Sequence, residues 1–172
     1  MAHEEPLLRT ERLELWRPQR DDLAGQMALL AAEETRRFLG DARPDAATQF
    51  NRLMRHAGGW SLHGYGMFFV RLAGKQRIIG NCGVFHSWRG FGHGMDDVPE
   101  AGWIIHSDHW GKGFAREAMH GALAWFDAAH GPRRIAAMIE QGNVASQKVA
   151  RALGFVEYTR GYFEGSPLIL YE

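Results

Sequence analysis

The sequence predicts a mixed α/β domain built around one sheet. The chain has 172 residues, of which 45% are hydrophobic, and this is enough for one globular domain with a two-layer core. Strand-like and helical patterns follow one another in the order strand, helices, several antiparallel strands, strand–helix–strand–helix and two strands. The sequence contains no repeat, linker or low-complexity segment. We therefore expect a single domain over residues 1–172.

The first half of the chain predicts three strands and two helices. Pro18 ends the first strand, and Gly40 ends the first helix. Asp45 is a plausible N-cap for the second helix, whose apolar residues are Phe50, Leu53 and Met54. The segment "AGKQ" between the two later strands predicts a hairpin. The predicted elements are a strand at 13–17, helices at 21–39 and from about Asp45, and strands at 66–72 and 77–85.

The second half predicts a strand–helix–strand–helix unit and a closing hairpin about "GSP". The strongest helix covers residues 113–129, because its apolar side chains fall on one stripe. Gly154 stands where a left-handed cap belongs, after a helix at 143–153. The glycine-rich "HSWRGFGHGMDDVP" is predicted to be a loop. The predicted strands of this half are 101–105, 134–139, 156–164 and 168–172.

Composition narrows the classes of partner. Lys+Arg and Asp+Glu both number 20, so nothing favours a large polyanion, and we expect no nucleic acid partner. The start, "MAHEEPLLRTERLEL", has no basic head followed by an apolar stretch, and no apolar run is long enough to cross a bilayer. We expect a cytoplasmic protein without a membrane partner. The single Cys82 lies in an apolar run and is interpreted as a small buried hydrophobe.

The segment "HWGKGFA", residues 109–115, places two glycines at a strand-to-helix turn. Free N–H groups and the positive end of a helix dipole converge at such a turn, and Gly111 and Gly113 would let a phosphate approach the backbone. The spacing matches neither a P-loop nor the dinucleotide fingerprint. Spacing alone supports phosphate binding and a purely structural turn equally. His106 and His109 have the spacing of helical metal ligands but lie in a loop without a third ligand nearby, so we expect no metal.

Several segments in order resemble the GCN5-related N-acetyltransferase (GNAT) family: "EAGWIIH", "SDHWGKGFAREA", a strand, then "NVASQKVARALGF". The likeness runs from "TERLELWRP" to the final hairpin and is greatest to the RimJ/RimL-type branch, which acetylates protein N-termini and assorted small amines. The family's turn motif is Arg/Gln-x-x-Gly-x-Gly/Ala; Trp110 takes the first position, Gly113 and Ala115 the two small ones. The resemblance implies a mostly antiparallel central sheet flanked by helices, with a cofactor cleft between splayed strands.

The resemblance also implies acetyl-CoA as cosubstrate. Its pyrophosphate would lie on the N–H groups at the turn, and its pantetheine arm would pair like a strand with the backbone near Ile105 and His106. Asn143 would bond the pantetheine arm, cap the last family helix, or do both, and Lys148 faces either the phosphates or solvent. The turn residues implied in binding are Trp110, Gly111, Lys112, Gly113, Phe114 and Ala115.

Acetyl transfer requires a neutral amine, a polarised thioester carbonyl and a proton for the departing thiolate. A free alkylamine has a pKa near ~10, so a base must take its proton. Glu100 stands where acidic residues act in several relatives; the alternative is a solvated strand-end residue. Ala150 replaces the tyrosine that many relatives use as the acid, and Ser146 could reach the sulfur, as the RimL-like Asn-x-x-Ser pattern suggests, or satisfy only the helix backbone. A backbone N–H near Ile105 could polarise the carbonyl.

The resemblance leaves the acceptor open among a protein N-terminus, an amino acid and a small amine, and leaves a homodimer open. The loop after the third family strand often lines the acceptor side, so His86, Trp88, Phe91 and His93 either do so or form mobile surface. The predicted activity is acetyl-CoA-dependent N-acetylation of a primary amine by direct transfer. The alternatives are a catalytically inactive CoA-binding regulatory module and an unrelated nucleotide-binding protein, which would bind ATP instead.

Overall fold

The computed structural model describes residues 5–40 and 42–172, so residues 1–4 of the segment inspected for a signal peptide lie outside it. The elements are β1 (Leu8–Arg9), β2 (Leu13–Trp16), α1 (Leu23–Leu29), α2 (Glu33–Arg36), α3 (Ala46–His63), β3 (Met67–Leu72), β4 (Ile78–Trp88), β5 (Asp96–Ile105), α4 (Phe114–His130), β6 (Ala137–Glu140), α5 (Val144–Ala152), β7 (Glu157–Phe163) and β8 (Ser166–Tyr171). None of the helices in these described ranges combines the length and apolar character needed to cross a membrane.

The strands form two antiparallel sheets that meet at one place. The larger sheet has the order β1-β2-β3-β4-β5, and the smaller has the order β6-β8-β7. A single parallel bridge between Glu100 and Ala136 links them, where Ala136 accepts a bond from the Ala101 amide at 2.8 Å and donates one to Pro99 at 2.9 Å. After this bridge β5 and β6 no longer pair. The predicted mostly antiparallel architecture with splayed strands is confirmed.

Helices cover both faces of the larger sheet, and the alternation of side chains along β5 divides its residues between them. Ala101 and Ile105 join the core formed with α4 and α5, and Trp103 packs against it. Ile104 instead joins a second core with Leu29, Leu30 and Leu53. Cys82 belongs to the first core and is 0% exposed; burial raises the pKa of its thiol to about 12. The interpretation of Cys82 as a buried hydrophobe is confirmed.

The single helix predicted over 21–39 is wrong. The chain forms a 3-10 turn at Arg20–Asp22, then α1, and after a break the short α2. The break is stabilised by the Arg36 guanidinium, which donates to the carbonyls of Leu30 at 2.8 Å and Ala31 at 2.6 Å. In a continuous helix these carbonyls would accept bonds from the helix backbone. Because Arg36 bonds them instead, the helix can end here although the spacing of the leucines continues.

The helix predicted from Asp45 is confirmed, but its predicted apolar face is wrong. The Asp45 carboxylate accepts a bond from the Thr48 amide at 2.9 Å and caps α3. Leu53 is buried as expected, whereas Phe50 and Met54 are 50% and 51% exposed. Gln49 lies inside in their place, since its side-chain oxygen accepts a 2.8 Å bond from Gln26. The hydrophobic pattern predicts Phe50 on the buried face of α3, but the side-chain amides of Gln26 and Gln49 are buried there instead.

The loop predicted from His86 to Pro99 is shorter than expected, because β4 continues to Trp88 and β5 begins at Asp96. The Asp96 carboxylate fixes the remaining loop by accepting bonds from the amides of Arg89, Gly90 and Gly92, at 2.6 to 2.8 Å. The closing hairpin is confirmed, with its turn one step earlier than "GSP".

The start of α4 is anchored to the segment between β1 and β2 by Glu117. Its carboxylate accepts bonds from the Thr10 hydroxyl at 2.6 Å, from the Arg12 amide at 2.8 Å and from the Arg12 guanidinium at 2.7 Å. Partial burial raises the pKa of Glu117, but these hydrogen bonds outweigh it, so the pKa lies below its ordinary value. The anchor holds the first turn of α4 in place beside the glycine-rich segment.

We expect Glu117→Gln to lower the free energy of unfolding at pH 7 by about 1 kcal/mol, as loss of a partly exposed charge-assisted bond does. Because the folded pKa is depressed, the contribution of Glu117 is present above the unfolded pKa, near ~4.3, and is lost as the pH falls through the folded pKa. Urea unfolding between pH 3 and 7 should therefore show wild type and variant converging in acid. A constant difference across that range would contradict the anchor.

Candidate functional site

The glycine-rich turn presents backbone donors without partners. Gly111 and Gly113 have φ angles of +72° and +78°, a left-handed conformation that side chains with a Cβ adopt at a cost. Within the described chain, the amides of residues 111–116 form no hydrogen bond, whereas the Glu117 amide bonds the Gly113 carbonyl. The N-terminus of the 17-residue α4 begins among these amides. Free donors and the positive end of a helix dipole make this turn an anion-binding site in geometry.

A cavity of about 660 Å³ opens beside the turn, between the end of β5, the start of α5 and α2, a size typical of ligand sites. The Thr35 hydroxyl of α2 accepts a 3.0 Å bond from the Ser107 amide and ties α2 to this wall. Most of the predicted cofactor residues line the cavity: Ile105, Trp110, Gly111, Gly113, Phe114, Ala115, Asn143, Ser146 and Lys148.

Two predicted cofactor residues do not line this cavity. His106 is buried, and its amide donates to the Ile79 carbonyl at 2.8 Å within the sheet. The Lys112 ammonium folds back onto the Asp108 carbonyl at 2.9 Å. The structure therefore brings neither side chain into the cavity.

The backbone of β5 turns a row of polar groups toward the gap. The His106 amide points to β4, whereas the Ala101 amide points to β6, and strand geometry alternates these directions. The backbone groups of Trp103 and Ile105 therefore share the side of Ala101, where β6 has moved away. The Ile105 carbonyl is bonded by the Trp110 indole at 2.7 Å. Trp103, rather than His106, is the second residue placed to pair with an extended ligand.

A second cavity, of about 170 Å³, lies between β5 and the end of β6 and has lining residues in common with the first. Ser146 and Asn143 belong to both. The Asn143 side chain accepts a 3.2 Å bond from the Ser146 amide, so it caps α5 while facing the gap. The shared residues are Phe38, Leu39, Trp103, Ile104, Asn143 and Ser146. Two molecules bound one in each cavity would therefore meet at this junction.

Glu100 lies in the second cavity and is 3% exposed, so the structure does not make it a solvated strand-end residue. Both its carboxylate oxygens accept bonds from Arg89, at 2.8 and 2.5 Å, as a bidentate pair. Burial lowers the pKa of the Arg89 guanidinium, but the pairing with Glu100 outweighs it and leaves that pKa raised. The pair fixes the orientation of the carboxylate toward the cavity.

Sequence reasoning missed three charged residues of the second cavity, Arg52, Arg89 and Glu140. Arg52 comes from α3 and Glu140 from the end of β6. Neither side chain forms a hydrogen bond or ion pair with the described residues. Burial and the nearby charge of Arg55 lower the pKa of the Arg52 guanidinium to about 10. No sequence signal marks these residues, since they come together only when α3, β4 and β6 pack.

The aromatic and histidine residues considered for the acceptor side do not line either cavity. His86 bonds Tyr65 at 2.8 Å and Asp97 at 2.9 Å, and Trp88 is 74% exposed. Phe91 packs on Phe163, with ring centroids 4.9 Å apart. The loop contributes Arg89 instead. Among the residues described, no three His, Cys, Asp or Glu side chains are grouped to hold a metal.

Comparison with known proteins gives one family. Residues 12–156 match the model of the acetyltransferase (GNAT) domain. A solved GnaT-family structure from Bordetella pertussis is 31% identical, with a TM-score of 0.86 over 95% of this chain and 96% of that one. The uncharacterised YkkB of Bacillus subtilis is 27% identical over 140 residues, 75% of this chain and 78% of YkkB. The structure of RimL, named an alpha-N-protein acetyltransferase, shares the fold at 13% identity. Its TM-score is 0.78, over 97% of this chain and 92% of RimL.

If the free amides hold the pyrophosphate of acetyl-CoA, Gly113→Ala should weaken acetyl-CoA binding about 10-fold or more, because the turn must shift to relieve its positive φ. Gly64→Ala is a matched control: Gly64 ends α3 with φ +74° and ψ 6°, against +78° and 6° for Gly113, and lies outside the cavity. Calorimetric titration and thermal melts of both variants provide the test. If both variants lose a similar amount of stability and Gly113→Ala binds acetyl-CoA as tightly as wild type, the turn has only a structural role.

Proposed function

This chain belongs to the GNAT acetyltransferase family, and we propose that it moves the acetyl group of acetyl-CoA directly onto a primary amine. The observation that carries this proposal is the junction of two cavities where β5 leaves β6. One cavity offers unbonded backbone amides at a helix N-terminus, and the other offers carboxylates. The acceptor class comprises a protein N-terminus, as the name of RimL states for that protein, an amino acid or a small amine.

The residues present fit acetyl-CoA, which supplies an activated acetyl thioester. We assign the pyrophosphate to the amides of Gly111 to Ala115, beside Trp110. Lys112 takes part through its amide, because its ammonium bonds Asp108. Trp103 and Ile105 offer backbone groups to the pantetheine arm, with Asn143 across the gap.

Lys148 and His106 have different parts in this assignment. Lys148 lines the cavity and supplies a positive charge for the phosphates. His106 acts only through the sheet, where its amide bonds Ile79 and fixes the direction of the neighbouring Ile105.

We assign the proton transfers to Glu100 and Ser146. Glu100 takes the proton from the amine, directly or through water, because each carboxylate oxygen keeps a lone pair besides its bond to Arg89. A backbone N–H on the gap side of β5 polarises the carbonyl as the N–C bond forms and the C–S bond breaks. Ser146 lines both cavities, and its hydroxyl gives the departing sulfur its proton and takes one back from solvent.

A CoA-binding regulatory module is the second candidate. Ala150, where many relatives carry a tyrosine, is fully buried in the core, and the cavity-facing carboxylate Glu100 is already paired. Both observations suit a site that has lost its chemistry. Turnover decides between the two functions.

We also propose a cytoplasmic location, supported by a lone buried thiol that forms no disulfide. The balance of 20 basic and 20 acidic residues supports partners other than nucleic acid or anionic membranes. A homodimer stays a prediction, which a measurement of the molar mass in solution by light scattering would test.

Acetyl-CoA should raise the melting temperature, and thiol should be released from it only when a primary amine is present. A panel of amino acids, small amines and peptides with free N-termini, followed by thiol detection, measures both the reaction and its acceptor. Stabilisation by acetyl-CoA with no thiol release from any amine would favour the regulatory module. Protection by ATP and not by acetyl-CoA would contradict both functions.

Glu100→Gln should lower kcat/KM for the amine by ~10²–10⁴-fold and flatten its dependence on pH, with acetyl-CoA affinity nearly unchanged. Ser146→Ala should slow turnover by only ~10-fold, because a thiolate with a pKa near ~8.5 needs less help in leaving. Glu140→Gln removes another carboxylate of the same cavity, and the comparison is made on the dependence of kcat/KM on pH, which this variant should keep. A dependence on pH that is flattened in Glu140→Gln and kept in Glu100→Gln would move the base away from Glu100.

A further inference from the structure

Four charged side chains line the second cavity, and only two of them are paired with each other. Arg89 and Glu100 neutralise one another as a bidentate pair. Arg52 and Glu140 line the same cavity, and among the described residues neither has a hydrogen bond or ion pair of its own. One cation and one carboxylate therefore face a small cavity without protein partners.

The surroundings of Arg52 make its lack of a partner costly. It is half-buried on α3, and the exposed Arg55 on the next turn adds repulsion. His56, four residues after Arg52 on the same helix, is neutral, because burial lowers its pKa to about 3, and its Nε2 is buried without a partner. A bound anion would supply the partner that Arg52 lacks.

We propose that the acceptor carries a carboxylate close to its amine, and that Arg52 binds this carboxylate while the amine lies at the junction of the two cavities. The planar guanidinium matches a carboxylate in a two-bond arrangement. Glu140 provides the opposite charge for the ammonium form of the same molecule as it enters. The proposal rests on the proposed N-acetyltransferase function and narrows its acceptors to amino-acid-like zwitterions.

The size of the second cavity agrees with such an acceptor. Its volume of about 170 Å³ corresponds to five or six water molecules at ~30 Å³ each, well below the range of drug-sized ligand sites. Its apolar wall, from residues such as Phe85 and Met138, can take a short side chain. A small amino acid fits these dimensions and this charge pattern together.

The test compares several L-amino acids with their carboxamides in wild type and in Arg52→Gln. The two members of each pair differ in amine basicity, so the quantity measured is the change in kcat/KM that the substitution causes for each member. We expect a loss of about 10- to 100-fold for the amino acids and less than about 3-fold for the carboxamides. Arg52→Lys, which keeps the charge, should recover part of the loss.

Arg55→Gln is the matched control, because it removes the same charge from the same helix at an exposed position outside both cavities. It should leave both members of each pair unchanged. Acetyl-CoA affinity should also be unchanged in Arg52→Gln, since Arg52 does not line the first cavity. This affinity shows that the variant is folded.

Equal losses for amino acids and carboxamides would show that Arg52 acts on structure and would overturn the proposal. Rapid acetylation of peptide N-termini, or of amines that carry no carboxylate, with no dependence on Arg52 would also overturn the proposal. The N-acetyltransferase function would then stand. If wild type acetylates no amine while binding acetyl-CoA, the proposed function fails, and the acceptor proposal fails with it.

Discussion

The parting of β5 from β6 is the constraint on which the site depends. Among the described residues, the two strands share backbone bonds only around Glu100 and Ala136, and from that point β5 pairs with β4 on one side and with no strand on the other. Backbone N–H and C=O groups inside a protein need partners, so a strand edge left open beside a cavity favours an extended polar ligand. The same parting gives access from both faces of the sheet, which is why two cavities meet there.

Side chains on both faces of β5 contribute to the two cavities of the proposed reaction site. Trp103 packs on the core with α4 and α5, whereas Ile104 belongs to the core near α1 and α3. Side chains of successive residues point to opposite faces, so one strand forms a wall of both cavities. Glu100 lines the second cavity, while the turn that follows β5 supplies the free amides of the first. The two ligands would thus meet at one strand edge, where residues such as Trp103 and Ser146 line both cavities.

Local signals in the sequence identified the parts of this site that depend on local structure. The apolar stripe of α4, the glycines before it and the cap at Asn143 each act within a few residues, and they lie where the sequence predicts. Arg52 and Arg89 could not be found in this way, since their meeting depends on how α3 packs across the sheet. The broken helix after Leu29 was missed for another reason: the bonds from Arg36 to the nearby carbonyls of Leu30 and Ala31 are polar, and hydrophobic spacing does not show them.

Net charge is a poor guide to this site, and the reason is physical. The chain carries 20 basic and 20 acidic residues, which argues against a long-range field that would attract a polyanion. Inside a partly buried cavity, however, screening by solvent is weak, so a guanidinium without an ion-pair partner acts on a nearby ligand more strongly than many exposed charges of both signs. Arg89 is already paired with Glu100, so within the part of the chain that the structure describes, the charges of the second cavity without a partner are the cation Arg52 and the carboxylate Glu140. In the proposed function, the acceptor is therefore selected by these two charges of the cavity and not by the charge of the surface as a whole.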